Sequence, residues 1–130
     1  MKFDIGFVIP LESEASSLIH LLKNKKVKIH GTRKVITGRL NKKTVSIIIS
    51  GCCKIKSASA TQFLISTLSA KQYVHFVTAG AIDPALCIGD IIIVDEIVEH
   101  DVKELFPQKV SAPIHQISAE LSIFKNKESV

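Results

Sequence analysis

Tryptophan is absent from the 130-residue sequence, tyrosine and methionine occur once each, and aromatic residues make up 5% of it. So few rings supply no platform on which nucleic-acid bases stack. Cysteine is scarce as well. Cys52, Cys53 and Cys87 form no CxxC pair, and an adjacent pair with an odd third is a poor disulfide framework, so reduced intracellular thiols are expected. Long apolar runs are missing: Ile91 to Val94 is followed at once by Asp95 and Glu96, far short of a membrane span. Asp4 interrupts the first apolar stretch and Glu12 follows soon after, which breaks the continuous apolar region a signal peptide needs. A soluble, cytoplasmic protein without a membrane partner is the expectation. His20, His30, His75, His100 and His115 are scattered without ligand spacing, so no bound metal is expected. The chain also lacks internal repeats, a domain linker and low-complexity tracts.

What is present is 46% hydrophobic content over a length suited to one folded domain, residues 1–130. Net charge is +5, with Lys23, Lys25, Lys26, Lys28, Arg33, Lys34, Arg39, Lys42 and Lys43 close together. Nucleic-acid binding is one reading of such a cluster. No basic helix accompanies it, so a solvated helix end and strand-turn-strand edge is expected, and nucleic acid is not an expected partner.

Phe3 to Ile9 is a short apolar run with β-branched residues and predicts a buried strand, ended by Pro10. Ala15, Leu18, Ile19 and Leu22 then fall on one helical face, with Glu12 and Glu14 in the first turn. Val27 to His30, Lys34 to Leu40 and Thr44 to Ser50 predict three successive strands, the last of them interior, joined by Gly31-Thr32 and Asn41-Lys42-Lys43. Ser57 to Leu68 carries Ala60, Phe63, Leu64 and Leu68 at helical spacing. Tyr73 to Val77, expected to be buried, and Asp90 to Val98 predict two further strands, and Ile117 to Phe124 a last short helix beyond Pro107 and Pro113. Strands alternating with helices imply an α/β class, and the antiparallel run after the first helix makes the sheet mixed.

After Val77 the chain enters Thr78-Ala79-Gly80-Ala81-Ile82-Asp83-Pro84-Ala85-Leu86, a small-residue turn. It brings bare backbone to the carboxyl end of the sheet, where open α/β folds bind ligands. Together with Ile5-Gly6-Phe7-Val8-Ile9-Pro10-Leu11-Glu12-Ser13-Glu14 and Ser50-Gly51-Cys52-Cys53-Lys54, this stretch resembles the purine nucleoside phosphorylase and uridine phosphorylase superfamily, nearest to the methylthioadenosine/S-adenosylhomocysteine nucleosidases. The resemblance runs to about Asp101. It implies a three-layer αβα fold with a mixed central sheet, C-terminally truncated relative to the family, whose members are longer.

The resemblance implies hydrolysis of the N-glycosidic bond of an adenine nucleoside. Such chemistry needs a base to activate water, stabilisation of an oxocarbenium-like transition state, and an acid for the departing base. By the resemblance Glu14 is the water-activating carboxylate, and Leu11, Glu12, Cys52, Thr78, Ala79 and Gly80 line the nucleoside pocket. Read without it, Glu12 and Glu14 are first-turn carboxylates that stabilise a helix by roughly 0.3–1 kcal/mol each. Thr78 to Gly80 are then a tight turn, with Gly80 structural on either reading. Cys52 is either a reactive thiol or a small buried apolar residue, the latter expected. Cys53 stands where the family has a second glycine, which puts ligand contacts of that loop in question. Gly89-Asp90 is expected to be a turn and Asp95-Glu96 to cap or face solvent; His100-Asp101 matches a histidine-aspartate pair of the nucleosidases, with a lone surface histidine the commoner explanation.

A phosphorylase needs cations around phosphate, and family phosphorylases use arginines near these loops. Pro10 to Leu18 has no arginine and the loop from Gly51 offers only lysines, so hydrolysis is expected over phosphorolysis, with no metal or organic cofactor. The resemblance also implies a methionine-glutamate pair on the ribose hydroxyls and a serine-aspartate segment bearing the acid. Neither has a counterpart in this sequence. An N-terminal portion of an enzyme, a shortened member with weak activity, and half a site completed by another chain all remain open. So do a futalosine hydrolase, an adenosylhopane nucleosidase, a nucleoside phosphorylase, and a non-catalytic nucleoside-binding or oligomerisation module. A purine nucleoside and a homodimer or higher oligomer are the expected partners, since a shortened core exposes apolar sheet surface.

Overall fold

A computed structural model of the chain describes residues 2–94 and 97. By its contacts the chain divides into two units, Met1–Ala79 and Gly80–Val130. The regular elements described lie in the first: β1 (Phe3–Ile9), α1 (Glu12–Leu21), β2 (Lys23–His30), β3 (Arg33–Leu40), β4 (Lys43–Ile49), α2 (Lys54–Phe63) running into a π-helical turn at Leu64–Leu68, and β5 (Ala70–His75).

The strands form one sheet in the order β2-β3-β4-β1-β5. β1 is parallel to both β4 and β5, whereas β3 is antiparallel to both β2 and β4. The mixture follows from the connections. Gly31 (φ +61°) and Asn41 (φ +53°) adopt left-handed conformations that let β2, β3 and β4 reverse over two-residue turns, while the parallel strand β5 is reached through a helical crossover.

Alternation along the strands sorts the core onto two faces. Ile9, Ile36, Val45 and Ile47 pack with Ala15 and Leu22 and with the half-buried Leu18 and Ile19, which puts α1 on one side. Val8, Val35 and Ile48 pack with Ala60, Leu64, Phe63 and Leu68, which puts α2 on the other. The result is the three-layer αβα arrangement. Close approach on the α2 side depends on Gly6: a Cβ there would lie 2.9 Å from Leu64 Cδ2 and 3.2 Å from both Ala70 Cβ and Tyr73 Cδ1. At the amino end of the parallel strands, the Asp4 carboxylate accepts hydrogen bonds from Lys71 Nζ (2.7 Å) and from the Thr44 amide (2.9 Å) and hydroxyl (2.8 Å). Lys71 first, then Thr44, hold that carboxyl far below its ordinary range, and the cluster ties β1, β4 and β5 together.

Several expectations are corrected. β2 begins at Lys23 rather than Val27, because the helix passes directly through the extended Leu22 into the strand, with a bulge between Lys23 and Lys26. The second helix begins at Lys54 and its last turn is π-helical rather than α. The strand expected at Tyr73 to Val77 runs from Ala70 to His75 and is exposed after Ala70, being an edge strand among the described residues. Over the described part of Asp90 to Val98, only Ile91 carries a bridge and residues 92–94 have no regular structure. Their side chains are exposed, and β-branched residues without a ladder partner do not make a strand. Asp95-Glu96, His100-Asp101 and the helix expected at Ile117 to Phe124 lie outside the described residues. Among the described residues, no helix is long and apolar enough to cross a membrane.

Candidate active site

The carboxyl ends of β4, β1 and β5 lie side by side, and the pairing continues beyond the strands. The Ser50 amide donates to the Ile9 carbonyl (2.9 Å), Gly51 to Pro10 (3.0 Å) and Phe76 to Val8 (3.2 Å). Residues 10–11, 50–53 and 76–79 are thereby held together at one edge of the sheet, the position at which the small-residue turn is expected.

Leu11 is the extended residue that opens α1, and Glu14 lies three positions on, in its first turn. The Leu11 amide donates to Glu14 Oε2 (3.1 Å), which satisfies one of the donors a helix start leaves unpaired. The second oxygen, Oε1, accepts from Thr78 twice, from its amide at 3.0 Å and its hydroxyl at 2.6 Å. These bonds hold the Glu14 carboxyl below its ordinary value of 4.5: the Thr78 hydroxyl contributes most, then the Thr78 amide, against an opposing effect of desolvation that exceeds each of the remaining contributions, of the Leu11 amide and His75. Glu14 is therefore an ionised carboxylate fixed in orientation by three donors from two loops. Such a group can receive a proton from water or anchor a hydroxyl, and it joins the first-strand and fifth-strand motifs that are far apart in sequence.

Glu12, one residue removed from this cluster, turns instead to Lys34 at the start of β3. The two carboxylates thus separate, with Glu14 toward Thr78 and Glu12 toward a lysine. The sequence expectations place Lys34 in the basic cluster and at the start of a strand but not beside Glu12, since only the β3–β4 register, which sets Lys34 opposite Ile49, brings it to this edge.

Leu11 is 45% exposed, and Cys52, expected to be buried, is exposed together with Cys53. The loop lies beyond the end of β4, at the start of α2, where no described element covers it. Cys53 retains a glycine-like backbone despite its side chain, at φ +96° and ψ 154°. Ala79 is exposed at the end of the first unit. Gly80 begins the second, where a Cβ would meet nothing within 4 Å and φ is not left-handed, so the described structure gives no steric need for glycine there. In the second unit the Leu86 amide donates to the Asp83 carbonyl (3.1 Å) and the Ala85 amide to Asp83 Oδ1 (2.8 Å). The Cys87 amide donates to Asp90 Oδ2 (2.8 Å), and Gly89 at φ +95° makes the expected turn. Among the described residues, no three histidine, cysteine or acidic side chains gather as a metal site.

Residues 4–122 match the pattern of the phosphorylase superfamily, and the chain belongs to that superfamily. Within it, the chain is similar to 5′-methylthioadenosine/S-adenosylhomocysteine nucleosidases. The one from Pseudoalteromonas translucida is 30% identical over 99 residues, 76% of this chain and 42% of the relative. That of Staphylococcus haemolyticus is 32% identical over 98 residues, 75% of this chain and 43% of the relative. The chain therefore spans less than half the length of these relatives. Among solved structures, the Colwellia psychrerythraea nucleosidase in complex with adenine superposes with a TM-score of 0.65 at 27% identity, covering 71% of this chain and 38% of that one. The Streptococcus pneumoniae nucleosidase in complex with 8-aminoadenine gives 0.74 at 22% identity over 85% and 52%, a likeness of fold.

Proposed function

We propose that this chain contributes the water-activating half of a nucleosidase site for adenine nucleosides such as methylthioadenosine or S-adenosylhomocysteine. The observation that carries the proposal is the Glu14 carboxylate held by Thr78 and Leu11 at the carboxyl edge of the parallel strands. Glu14 takes a proton from water as the water oxygen bonds to the anomeric carbon. The bond from that carbon to the purine nitrogen breaks, and its electron pair leaves with the base. Because the transition state is oxocarbenium-like, the carbon is already strongly electrophilic when water attacks, so a carboxylate of low basicity suffices. Thr78 and Ala79 flank the base and sugar, with Leu11, Glu12 and Cys52 as further pocket residues. The reading needs no metal or organic cofactor and places the chain in the cytoplasm, in keeping with three free thiols.

The test is adenine release from methylthioadenosine by the purified chain, with and without phosphate, beside the Glu14→Gln variant. Release independent of phosphate and at least ~10²-fold slower in the variant is the expected outcome. Release that requires phosphate, or that survives the substitution, would sink the proposal. One observation favours a second reading, a nucleoside-binding module without turnover: the bonds from Thr78 and Leu11 that hold the Glu14 carboxyl below its ordinary value also lower its basicity toward water. That reading predicts calorimetric binding of methylthioadenosine with no adenine released by either protein.

A further inference from the structure

Acidic and basic residues are segregated along the chain. Between Ala15 and Ile82 the sequence holds twelve lysines and arginines and no aspartate or glutamate. Several of these cations are engaged within the described fold, among them Lys34 by Glu12, Lys71 by Asp4, and Arg33 by the Ser59 hydroxyl and the Phe63 ring, whose centroid is 5.5 Å from the guanidinium carbon. Many of the others gather at the edge of the sheet opposite β5. β2 is the edge strand there, and residues 23–29 are all exposed.

Register assigns these side chains to faces. Lys28 lies opposite Val35, Lys26 opposite Thr37 and Lys23 opposite Arg39. Val35 packs on the α2 side, so alternation along β3 places Thr37 and Arg39 on that side too, and directly opposed residues share a face. Lys23, Lys26, Lys28 and Arg39 therefore stand on one face of a two-stranded ribbon, over a length of roughly 17 Å. Asp4 is on the same side of the sheet, but its oxygens are taken by Thr44 and Lys71. The exposed apolar residues of β2, Val27 and Ile29, alternate onto the opposite face. Lysines that guard an edge strand against pairing account for β2 but not for Arg39, which is on the interior strand β3.

We infer that the Lys23, Lys26, Lys28 and Arg39 face of the β2–β3 ribbon binds the phosphate backbone of a nucleic-acid duplex without sequence preference. Charge complementarity selects the partner, since a duplex presents one phosphate about every 1.7 Å of its axis and its major groove admits a two-stranded ribbon. A single strand is disfavoured, because the four residues include no ring for bases to stack on. A lipid surface is disfavoured, because the cationic side of the ribbon carries no exposed large apolar residue to enter it. The sequence expectation of a merely solvated edge lacked the register that gathers four cations on one face.

The test is fluorescence anisotropy of a labelled duplex of ~20 base pairs, DNA and RNA in parallel, with the full chain from about 25 to 200 mM salt. The expected slope of log K against log salt for the DNA duplex is about −3 to −4, for four phosphate contacts. Lys26→Gln with Lys28→Gln should flatten that slope by about 2, and Arg39→Gln by about 1. Because Arg39 is off the edge strand, its substitution decides the matter even if the lysine variant self-associates. No binding at the lowest salt, a slope unchanged in Arg39→Gln, or tighter capture by phosphatidylserine vesicles than by either duplex would overturn the inference.

Discussion

At Cys53 a side chain occupies backbone conformation that belongs almost wholly to glycine, φ +96° and ψ 154°. A non-glycine residue there costs on the order of 1–3 kcal/mol, while glycine gives back roughly 0.5–1 kcal/mol in unfolded-chain entropy. Cys53→Gly is therefore expected to stabilise the chain by ~1 kcal/mol, read as a higher urea midpoint at unchanged m; an unchanged or lower midpoint would show that the loop relaxes around the thiol. At Glu14 the bonds from Thr78 lower the carboxyl below its ordinary 4.5. A base must be ionised to act, so kcat/KM for adenine release should stay level as pH falls to that value and drop only below it. Thr78→Ala removes the largest lowering contribution, the hydroxyl's, and should move this acid limb upward. Glu14 and Thr78 were legible individually, through family resemblance, but their hydrogen bonds were not. Nor was the Glu12 to Lys34 pair, which depends on strand register, and register leaves no trace in local composition.

At the scale of elements, a short apolar run with β-branched residues, ended by Pro10, located β1 from Phe3 to Ile9, and the spacing of Ala15, Leu18, Ile19 and Leu22 located α1. α1 turns one face to the sheet, and β1 is covered on both of its faces. β2 was half missed because Lys23, Lys25, Lys26 and Lys28 give an exposed edge strand no apolar signal. The run from Asp90 to Val98 misled in the opposite way, for it is β-branched but has no ladder beyond Ile91 in its described part. Gly6 gave no sequence cue of its structural role, which is to admit Leu64 onto the sheet. Gly6→Ala introduces a Cβ 2.9 Å from Leu64 Cδ2 and should destabilise by about 1–3 kcal/mol through overpacking. Leu64→Ala is costly alone, yet in the double variant part of the Gly6→Ala penalty should vanish; strictly additive effects in denaturant melts would place the strain elsewhere.

At the scale of the molecule, the open side of β5 is the feature that bears on association. Tyr73 and Val74 are 40% and 38% exposed on a strand with a neighbour on one side only among the described residues, and Phe76 and Val77 follow at 47% and 45%. Unpaired edges and exposed apolar groups favour contact with another chain. As part of the proposed function, the chain should sediment as a dimer or higher oligomer, and Val74→Lys should shift it toward monomer; a monomeric wild type at concentrations that support turnover would remove oligomerisation from the proposal.

The central place of β1 also has a consequence for how the molecule is made. This strand leaves the ribosome ahead of both its ladder partners, β4 and β5, so its hydrogen-bonding edges stay open until Ile49 and then His75 have been synthesised. The β2–β3–β4 meander can close by local hairpins in the meantime, whereas β1 must pair with β4 at long sequence separation, Ile5 opposite Val45, and then receive β5 on its other edge. Pairing of β1 is thus the most non-local step of assembly, and Phe7, Val8 and Ile9 await their ladder partners through that interval.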